Sequence, residues 1–107
     1  MIPSEPYYSM YDPEKMPIPS SIKDDMQNSP YINANGRNKL TVFADVEKIK
    51  YMISNYYGLI TELDDWIGKI IKTLEDEGIA EHTMVIFTSD HGEMLGAHGM
   101  REKNVFY

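Results

Sequence analysis

Side chains that bind cations and anions lie close together near the carboxyl end of the sequence. Asp90 and His91 are adjacent, and His98 and Lys103 follow them. A carboxylate oxygen suits a hard divalent cation such as Ca²⁺ or Mg²⁺, and an imidazole nitrogen also suits Zn²⁺ or Mn²⁺. Both side chains can reach one ion if the backbone turns sharply there, and Gly92 permits such a turn. The segment is therefore a candidate metal site.

The same residues also have an ordinary structural explanation. Asp90 would cap a turn, and His91 would be a surface histidine. Gly92, Gly96 and Gly99 favour a functional loop instead, because they indicate a backbone that approaches another group closely. Zinc deaminases are excluded because the chain lacks their cysteine pair. The sequence also contains no His-Glu-x-x-His motif, no P-loop and no Gly-x-Ser-x-Gly elbow.

A buried strand is predicted directly before this segment. Residues 83–88 (TMVIFT) form a short, continuous apolar run that is rich in β-branched side chains. Ligands of open α/β sheets bind beyond the carboxyl ends of the strands, which is where Asp90 and His91 would lie. A parallel sheet needs more strands than this chain supplies, so the chain is expected to be part of a larger fold.

A long amphipathic helix is predicted from about residue 41 to residue 77. Asp45 is the predicted N-cap, with Thr41 as the alternative, and Gly78 is the predicted C-terminal stop. The apolar positions follow one another at steps of four and three: Ile49, Ile53, Tyr56, Ile60, Leu63, Ile67, Ile70 and Leu74.

Two glycines interrupt this helix and bear on what it packs against. Gly58 and Gly68 each cost about 1 kcal/mol relative to Ala, which disfavours a free coiled coil. Both glycines are explained if the helix lies close against another element, such as a sheet. Tyr51, Tyr57 and Trp66 widen the apolar face, which also suits packing on a sheet.

Proline and tyrosine dominate the start of the chain. All six prolines lie within residues 1–30, together with Tyr7, Tyr8 and Tyr11, so the stretch is predicted to be extended and rich in turns. A flexible leader is one explanation. An ordered coil that the tyrosines anchor to a larger body is the explanation we favour, because tyrosine is uncommon in disordered segments.

Composition excludes several classes of partner and chemistry. The net charge of −7 and the absence of a basic stripe argue against nucleic-acid binding. No run of about 18 apolar residues occurs, so no membrane span is expected. The chain has no Cys, which excludes disulfides, thiolate metal sites and a cysteine nucleophile within it.

The run VIFTSDHGEMLGAHG at residues 85–99, with Lys103 and Tyr107 after it, resembles the C-terminal metal-binding motif of the sulfatases. These enzymes belong to the alkaline phosphatase superfamily. The preceding helix and the Pro/Tyr-rich start also resemble this family, although less specifically. The implied fold class is α/β, as part of an alkaline phosphatase-like fold. An extended segment would cover 1–40, and a unit of helix, buried strand and metal loop would cover 41–107.

The resemblance implies a role for three of the candidate residues. Asp90 and His91 would hold a divalent cation, usually Ca²⁺, and Lys103 would bind a sulfate oxygen and act in catalysis. The resemblance fixes no role for His98: a hydrogen bond that stabilises the loop is the explanation we favour, and substrate binding is the alternative. The cation and the ammonium group together would offset the charge on the sulfuryl oxygens. The implied partner is a sulfate ester, such as a sulfated sugar or an aryl sulfate.

The sequence departs from the sulfatases at the nucleophile. These enzymes carry a formylglycine made from Cys or Ser in a Cys/Ser-x-Pro/Ala-x-Arg motif. Ser20, Ser21 and Ser29 are each followed by the wrong residues for this motif. We therefore expect a fragment that supplies half of the metal site, with formylglycine in the parent protein and no activity in the isolated chain.

Two alternatives stay open at this point. Phosphonate and phosphate ester hydrolases of the same superfamily share the motif region. The chain would otherwise be a non-catalytic helical interaction module in which the Asp-His loop is only a cap. An incomplete sheet edge would also invite self-association. The sequence gives no indication of the cellular compartment.

Overall fold

The computed structural model describes residues 2–24 and 45–103. These ranges contain two α-helices, α1 over Tyr7–Met10 and α2 over Val46–Asp76. No β-strand occurs among the described residues, and none of their helices has the length and apolar composition of a membrane span. Four short 3₁₀ helices complete the secondary structure: Pro13–Lys15, Ser20–Lys23, Ala80–His82 and Ala97–Gly99.

The long helix α2 begins and ends at residues that the sequence predicts. The Asp45 side chain accepts a hydrogen bond from the backbone amide of Lys48 at 3.2 Å, so Asp45 is the N-cap. Gly78 has a φ of +67° and donates from its amide to the carbonyl of Glu75, which ends the helix in a left-handed turn. Thr41, the alternative N-cap, lies outside the described residues, as does the expected boundary near residue 40.

The N-terminal arm, residues 2–16, packs along α2. Its backbone turns through α1 and places serine and tyrosine hydroxyl groups beside polar side chains of the helix. The tyrosines therefore anchor this part of the chain, as expected for an ordered rather than a flexible start. Four side-chain hydrogen bonds among the described residues join the two elements, at 2.5, 2.6, 2.7 and 2.8 Å: Ser4 with Glu62, Tyr7 with Asp65, Tyr11 with Thr61, and Lys50 with Glu14.

The two helical glycines differ in their surroundings. A Cβ atom on Gly58 would lie 2.6 Å from the carbonyl oxygen of Tyr7 and 2.8 Å from Cγ of Pro3. Gly58 thus permits close packing, but against the N-terminal arm and not against a sheet. A Cβ atom on Gly68 would meet nothing within 4 Å, so the prediction of close packing is not met there.

The buried part of the molecule lies at the N-terminal half of α2. Ile49 and Ile53 are each 3% exposed, and Met100 from the distant loop is 6% exposed. The same apolar stripe is uncovered further along the helix, where Ile60 and Ile70 are 51% and 60% exposed. The amphipathic pattern is therefore present along the helix, while only its first half is covered in the described residues.

The prediction of a buried strand at residues 83–88 is not met. Met84 and Phe87 are 85% and 77% exposed, and the segment is assigned to no strand. A strand needs neighbouring strands to bond its amide and carbonyl groups, and the described ranges supply none for this segment. The apolar composition is present without the sheet that would bury it.

Candidate functional site

Asp90 and His91 lie at a bend that follows the exposed segment 83–88. The backbone amide of His91 donates to Oδ1 of Asp90 at 3.0 Å. The Ser89 hydroxyl donates to the carbonyl of His91 at 2.7 Å, which fixes the bend from its other side. One carboxylate oxygen of Asp90 is thus used locally, and the other, Oδ2, is directed to the His91 ring.

The hydrogen-bond partners of the His91 ring assign its tautomer. Nδ1 lies 2.9 Å from the carbonyl oxygen of Gly92, and a carbonyl only accepts, so Nδ1 carries the proton. Nε2 lies 2.9 Å from Nζ of Lys103, and an ammonium only donates, so Nε2 is the acceptor. This tautomer places the Nε2 lone pair on the Lys103 ammonium group, and a metal bound as neutral imidazole binds metals would have to take the place of that ammonium.

Two acceptor atoms therefore converge on one point. Oδ2 of Asp90 lies 3.2 Å from Nε2 of His91, and the positive charge at this point comes from Lys103. The carboxylate is 83% exposed and the imidazole 42% exposed, so both are accessible from solvent. The pair fits two positions in the coordination shell of a divalent cation. No group of three or more His, Cys, Asp or Glu side chains within metal-binding reach occurs in the described parts of the chain.

A closed loop, residues 94–102, brings Lys103 back to this pair. The amide of Met94 donates to the carbonyl of Glu102 at 3.2 Å, and the amide of Gly96 donates to the carbonyl of Met100 at 2.8 Å. These bonds hold the two ends of the loop side by side. Lys103, the next residue after the loop, is therefore returned to the neighbourhood of the residues that precede it.

Glu93 reinforces this closure and was not singled out by the sequence analysis. Its Oε1 atom accepts hydrogen bonds from the backbone amides of Leu95, at 3.3 Å, and of Glu102. The carboxylate thus ties the start of the loop to the residue directly before Lys103. A signal was available, because an acidic residue before a glycine-rich loop is well placed to accept from its unpaired amides.

The loop owes its shape to left-handed backbone conformations. Gly96 and Gly99 have φ values of +93° and +66°, whereas Gly92, where the sequence predicts a sharp turn, has no positive φ. A Cβ atom on Gly99 would lie 3.3 Å from the carbonyl oxygen of Ile22, so this glycine also permits a close approach. Around Gly92 an added Cβ atom would meet nothing within 4 Å, so the expectation of close packing is not met there.

His98 contacts a different part of the chain. Its Nδ1 atom lies 2.8 Å from Oδ2 of Asp24, and its backbone amide donates to the Ser21 hydroxyl at 3.3 Å. The structure therefore brings Asp90, His91 and Lys103 together and places His98 against the segment around Ser20–Lys23. Asp24 and Ser21 were not predicted as partners of His98, because no local pattern links residues so far apart in the chain. Tyr107 lies outside the described residues.

Comparison with known proteins gives a consistent family. The profile described as Sulfatase matches residues 4–106 of this chain. The multifunctional alkaline phosphatase superfamily protein PehA of Trinickia caryophylli is 32% identical over 95% of the chain and 23% of its own length. The arylsulfatase of Clostridium perfringens is 32% identical over 98% of the chain and 22% of its own length.

A third relative is similar over almost the whole chain. Arylsulfatase K of Xenopus laevis is 32% identical over 95% of the chain and 18% of its own length. The chain thus spans less than a quarter of the length of the curated relatives compared here. No solved structure matches it significantly.

Proposed function

The chain belongs to the sulfatase family, and on this premise we propose that it supplies half of a divalent-metal site and a sulfate-binding lysine to a sulfuric ester hydrolase. Family membership implies an alkaline phosphatase-like α/β fold. Residues 83–88 would then be a buried strand of the complete sheet. The substrate would be a sulfate ester, such as an aryl sulfate or a sulfated sugar.

The contact between three side chains carries this proposal. Nε2 of His91 lies 3.2 Å from Oδ2 of Asp90 and 2.9 Å from Nζ of Lys103. A carboxylate oxygen and an unprotonated imidazole nitrogen that face the same point repel each other unless a positive charge lies beside them. Ca²⁺ is the proposed cation, with Asp90 and His91 as two of its ligands.

Each residue has a separate task in the proposed reaction. When bound, the cation would polarise a sulfuryl oxygen and offset the charge that develops on it. Lys103 would donate a charge-assisted hydrogen bond to a second oxygen of the same group. Gly92 and Ser89 would hold the His91 ring and backbone in the orientation that keeps Nε2 unprotonated.

Calcium titration tests the metal ligands. Two protein ligands leave most of the Ca²⁺ shell to water, so we expect weak binding by calorimetry and none in Asp90→Ala or His91→Ala. Asp64→Ala, which removes an exposed carboxylate of α2, is the matched control and should bind as the parent chain does. Submicromolar affinity, or binding that survives both site substitutions, would contradict the proposed two-ligand site.

The chemical step is expected to need groups that this chain does not carry. It contains no Cys, and Ser20, Ser21 and Ser29 do not begin the formylglycine motif. We therefore expect the purified 107-residue chain to release no sulfate from an aryl sulfate. Sulfate release that Lys103→Ala abolishes would refute this expectation.

A phosphate or phosphonate ester hydrolase is the second candidate. It is favoured by the similarity to PehA, a protein whose name places it in the alkaline phosphatase superfamily without restricting it to sulfate. Lys103 serves either anion, because an ammonium group donates to sulfate and phosphate oxygens alike. Titrating inorganic sulfate and inorganic phosphate in the presence of Ca²⁺ separates the two. Tighter sulfate binding that Lys103→Ala removes supports the first candidate.

A further inference from the structure

The segment around Ser20–Lys23 contacts the loop 94–102 at one residue in particular. His98 donates its backbone amide to the Ser21 hydroxyl at 3.3 Å, and its Nδ1 atom lies 2.8 Å from Oδ2 of Asp24. The His98 and Asp24 side chains are 21% and 28% exposed, so the pair is largely shielded from solvent. A partly buried pair is screened less by salt and water than a surface pair.

The backbone of His98 gives a reason to regard this contact as more than incidental. Its φ of +53° lies in the left-handed region, which a residue with a side chain adopts only at a cost. Histidine tolerates this region better than most residues, and the neighbouring Gly99 tolerates it freely. The hydrogen bonds to Ser21 and Asp24 offset the cost and hold the loop in this conformation.

The position of Lys103 depends on the same loop. Lys103 follows directly after residue 102, whose carbonyl accepts from the amide of Met94 and whose amide donates to Glu93. Met100, buried at 6% exposure, lies between His98 and this closure. His98 and the residue before Lys103 thus belong to one closed loop, with a buried residue between them.

We propose that the Asp24–His98 pair is a positioning contact, which holds the loop 94–102 so that Nζ of Lys103 stays at Nε2 of His91. His98 acts here through Asp24 and the loop and does not touch the anion. The inference rests on the proposed function only for what Lys103 binds. The geometric claim concerns the distance between the Lys103 and His91 side chains.

Nuclear magnetic resonance of the full chain tests this claim. The readout is the nuclear Overhauser effect between the ε-methylene protons of Lys103 and the Cε1 proton of His91. We expect it in the parent chain and its loss in His98→Gly and in Asp24→Ala. Glycine adopts the left-handed backbone conformation without strain. Loss of the Overhauser effect in His98→Gly would therefore be due to the missing imidazole ring.

Two further variants separate positioning from general stability. Asp24→Asn keeps an oxygen that accepts from Nδ1 of His98, so the effect should be retained in this variant. His82→Ala, which removes an exposed histidine elsewhere, should leave the effect unchanged. The helical circular dichroism of α2 reports whether a variant has folded, and if His98→Gly has not, Asp24→Ala decides the question.

The outcomes separate this proposal from the function. An Overhauser effect between Lys103 and His91 that persists in both His98→Gly and Asp24→Ala overturns the positioning role. Equal loss of this Overhauser effect in Asp24→Asn and in Asp24→Ala also overturns it. Failure of the proposed function appears instead as a parent chain that binds neither Ca²⁺ nor sulfate. The positioning contact would still stand in that case if the Overhauser effect behaves as expected.

Discussion

At the residue scale, Asp90 divides its two oxygens between structure and a possible ligand. Oδ1 accepts the backbone amide of His91, and Oδ2 faces the ring nitrogen Nε2 of the same residue. The turn-capping role that an ordinary aspartate would have is thus present, and it leaves the second oxygen, which the proposed function assigns to a cation, outside the cap. The two explanations from the sequence are therefore compatible, since capping uses only half of the carboxylate.

Replacement of Glu93 should loosen the loop without unfolding α2. In Glu93→Ala the amides of Leu95 and Glu102 lose their shared acceptor. A hydrogen bond to a charged group contributes about 1.5–3 kcal/mol, and partial exposure favours the lower value. Exchange of these two amides with deuterium should accelerate roughly tenfold or more.

Glu93→Gln is the matched variant for this experiment. It keeps an oxygen at the same position without the charge, so its acceleration should be smaller than that of Glu93→Ala. Equal exchange rates in the parent chain and in Glu93→Ala would contradict the closure that we assign to this carboxylate.

Residue types predicted part of this site and could not predict the rest. The Asp-His pair pointed to a metal site and the resemblance to the sulfatases added Lys103, and the structure brings these three side chains within hydrogen-bond distance. Their roles toward a cation and an anion stay predictions. Asp24 could not be found, because it lies 74 positions before His98 in the chain and no local pattern links the two residues.

At the element scale, the spacing of apolar residues predicts α2 well but not what covers it. The steps of four and three and the two terminal residues predict its course and its ends. The partner of Gly58 was expected to be a sheet and is the N-terminal arm. A glycine in a helix leaves room for a close neighbour but does not indicate which element supplies it, and at Gly68 no atom lies within 4 Å of an added Cβ.

Alanine at the two helical glycines should have opposite effects. Gly58→Ala places a Cβ atom against the backbone of Tyr7, so the arm must shift and the free energy of unfolding should fall. Gly68→Ala meets open space and should raise it by about 1 kcal/mol, since alanine favours the helix.

Thermal unfolding followed by circular dichroism checks this pair. Each variant serves as the control of the other, because both make the same chemical change in one helix. A stabilising Gly58→Ala would show that the arm does not lie against this glycine.

The N-cap of α2 should make the helix sensitive to acid. The Lys48 side chain, and then its backbone amide, lower the pKa of Asp45 below its ordinary value of 3.8. A lowered folded-state pKa contributes stability above the unfolded value, and this stability is lost as the pH falls through the folded value. We expect helical content to decrease in that range.

Asp45→Asn isolates this contribution to the acid transition. Its amide oxygen still caps the helix, but it does not titrate, so the acid-induced decrease in ellipticity should be smaller. An identical acid transition in the parent chain and in Asp45→Asn would show that Asp45 does not contribute to it.

At the scale of the whole molecule, the described residues leave much of the apolar surface of α2 and of residues 83–88 exposed to solvent. The apolar composition of residues 83–88 predicts a buried strand. Composition alone does not show whether neighbouring strands are present to bury it. The chain spans less than a quarter of the relatives compared above. Under the proposed function, this segment would be buried by strands that the described ranges do not contain.

An uncovered apolar segment has a consequence for the isolated chain. Residues 83–88 carry no charge, Ile86 and Phe87 are each 77% exposed, and the segment forms no ladder with the described residues. Such a segment is a template for pairing with an identical segment of a second copy. We expect the sedimentation coefficient of the chain to increase with its concentration.

Ile86→Lys should reverse this association, because a charge in the strand opposes a second strand and the exposed position tolerates lysine in the monomer. Ile2→Lys is the matched control, since Ile2 is 73% exposed but lies in the N-terminal arm. Sedimentation velocity over a range of concentrations should give a constant coefficient for Ile86→Lys and a concentration-dependent one for Ile2→Lys. A buried lysine at the centre of a strand pair would weaken pairing between two copies of residues 83–88. If Ile86→Lys associates as strongly as the parent chain, the contact between copies therefore lies elsewhere.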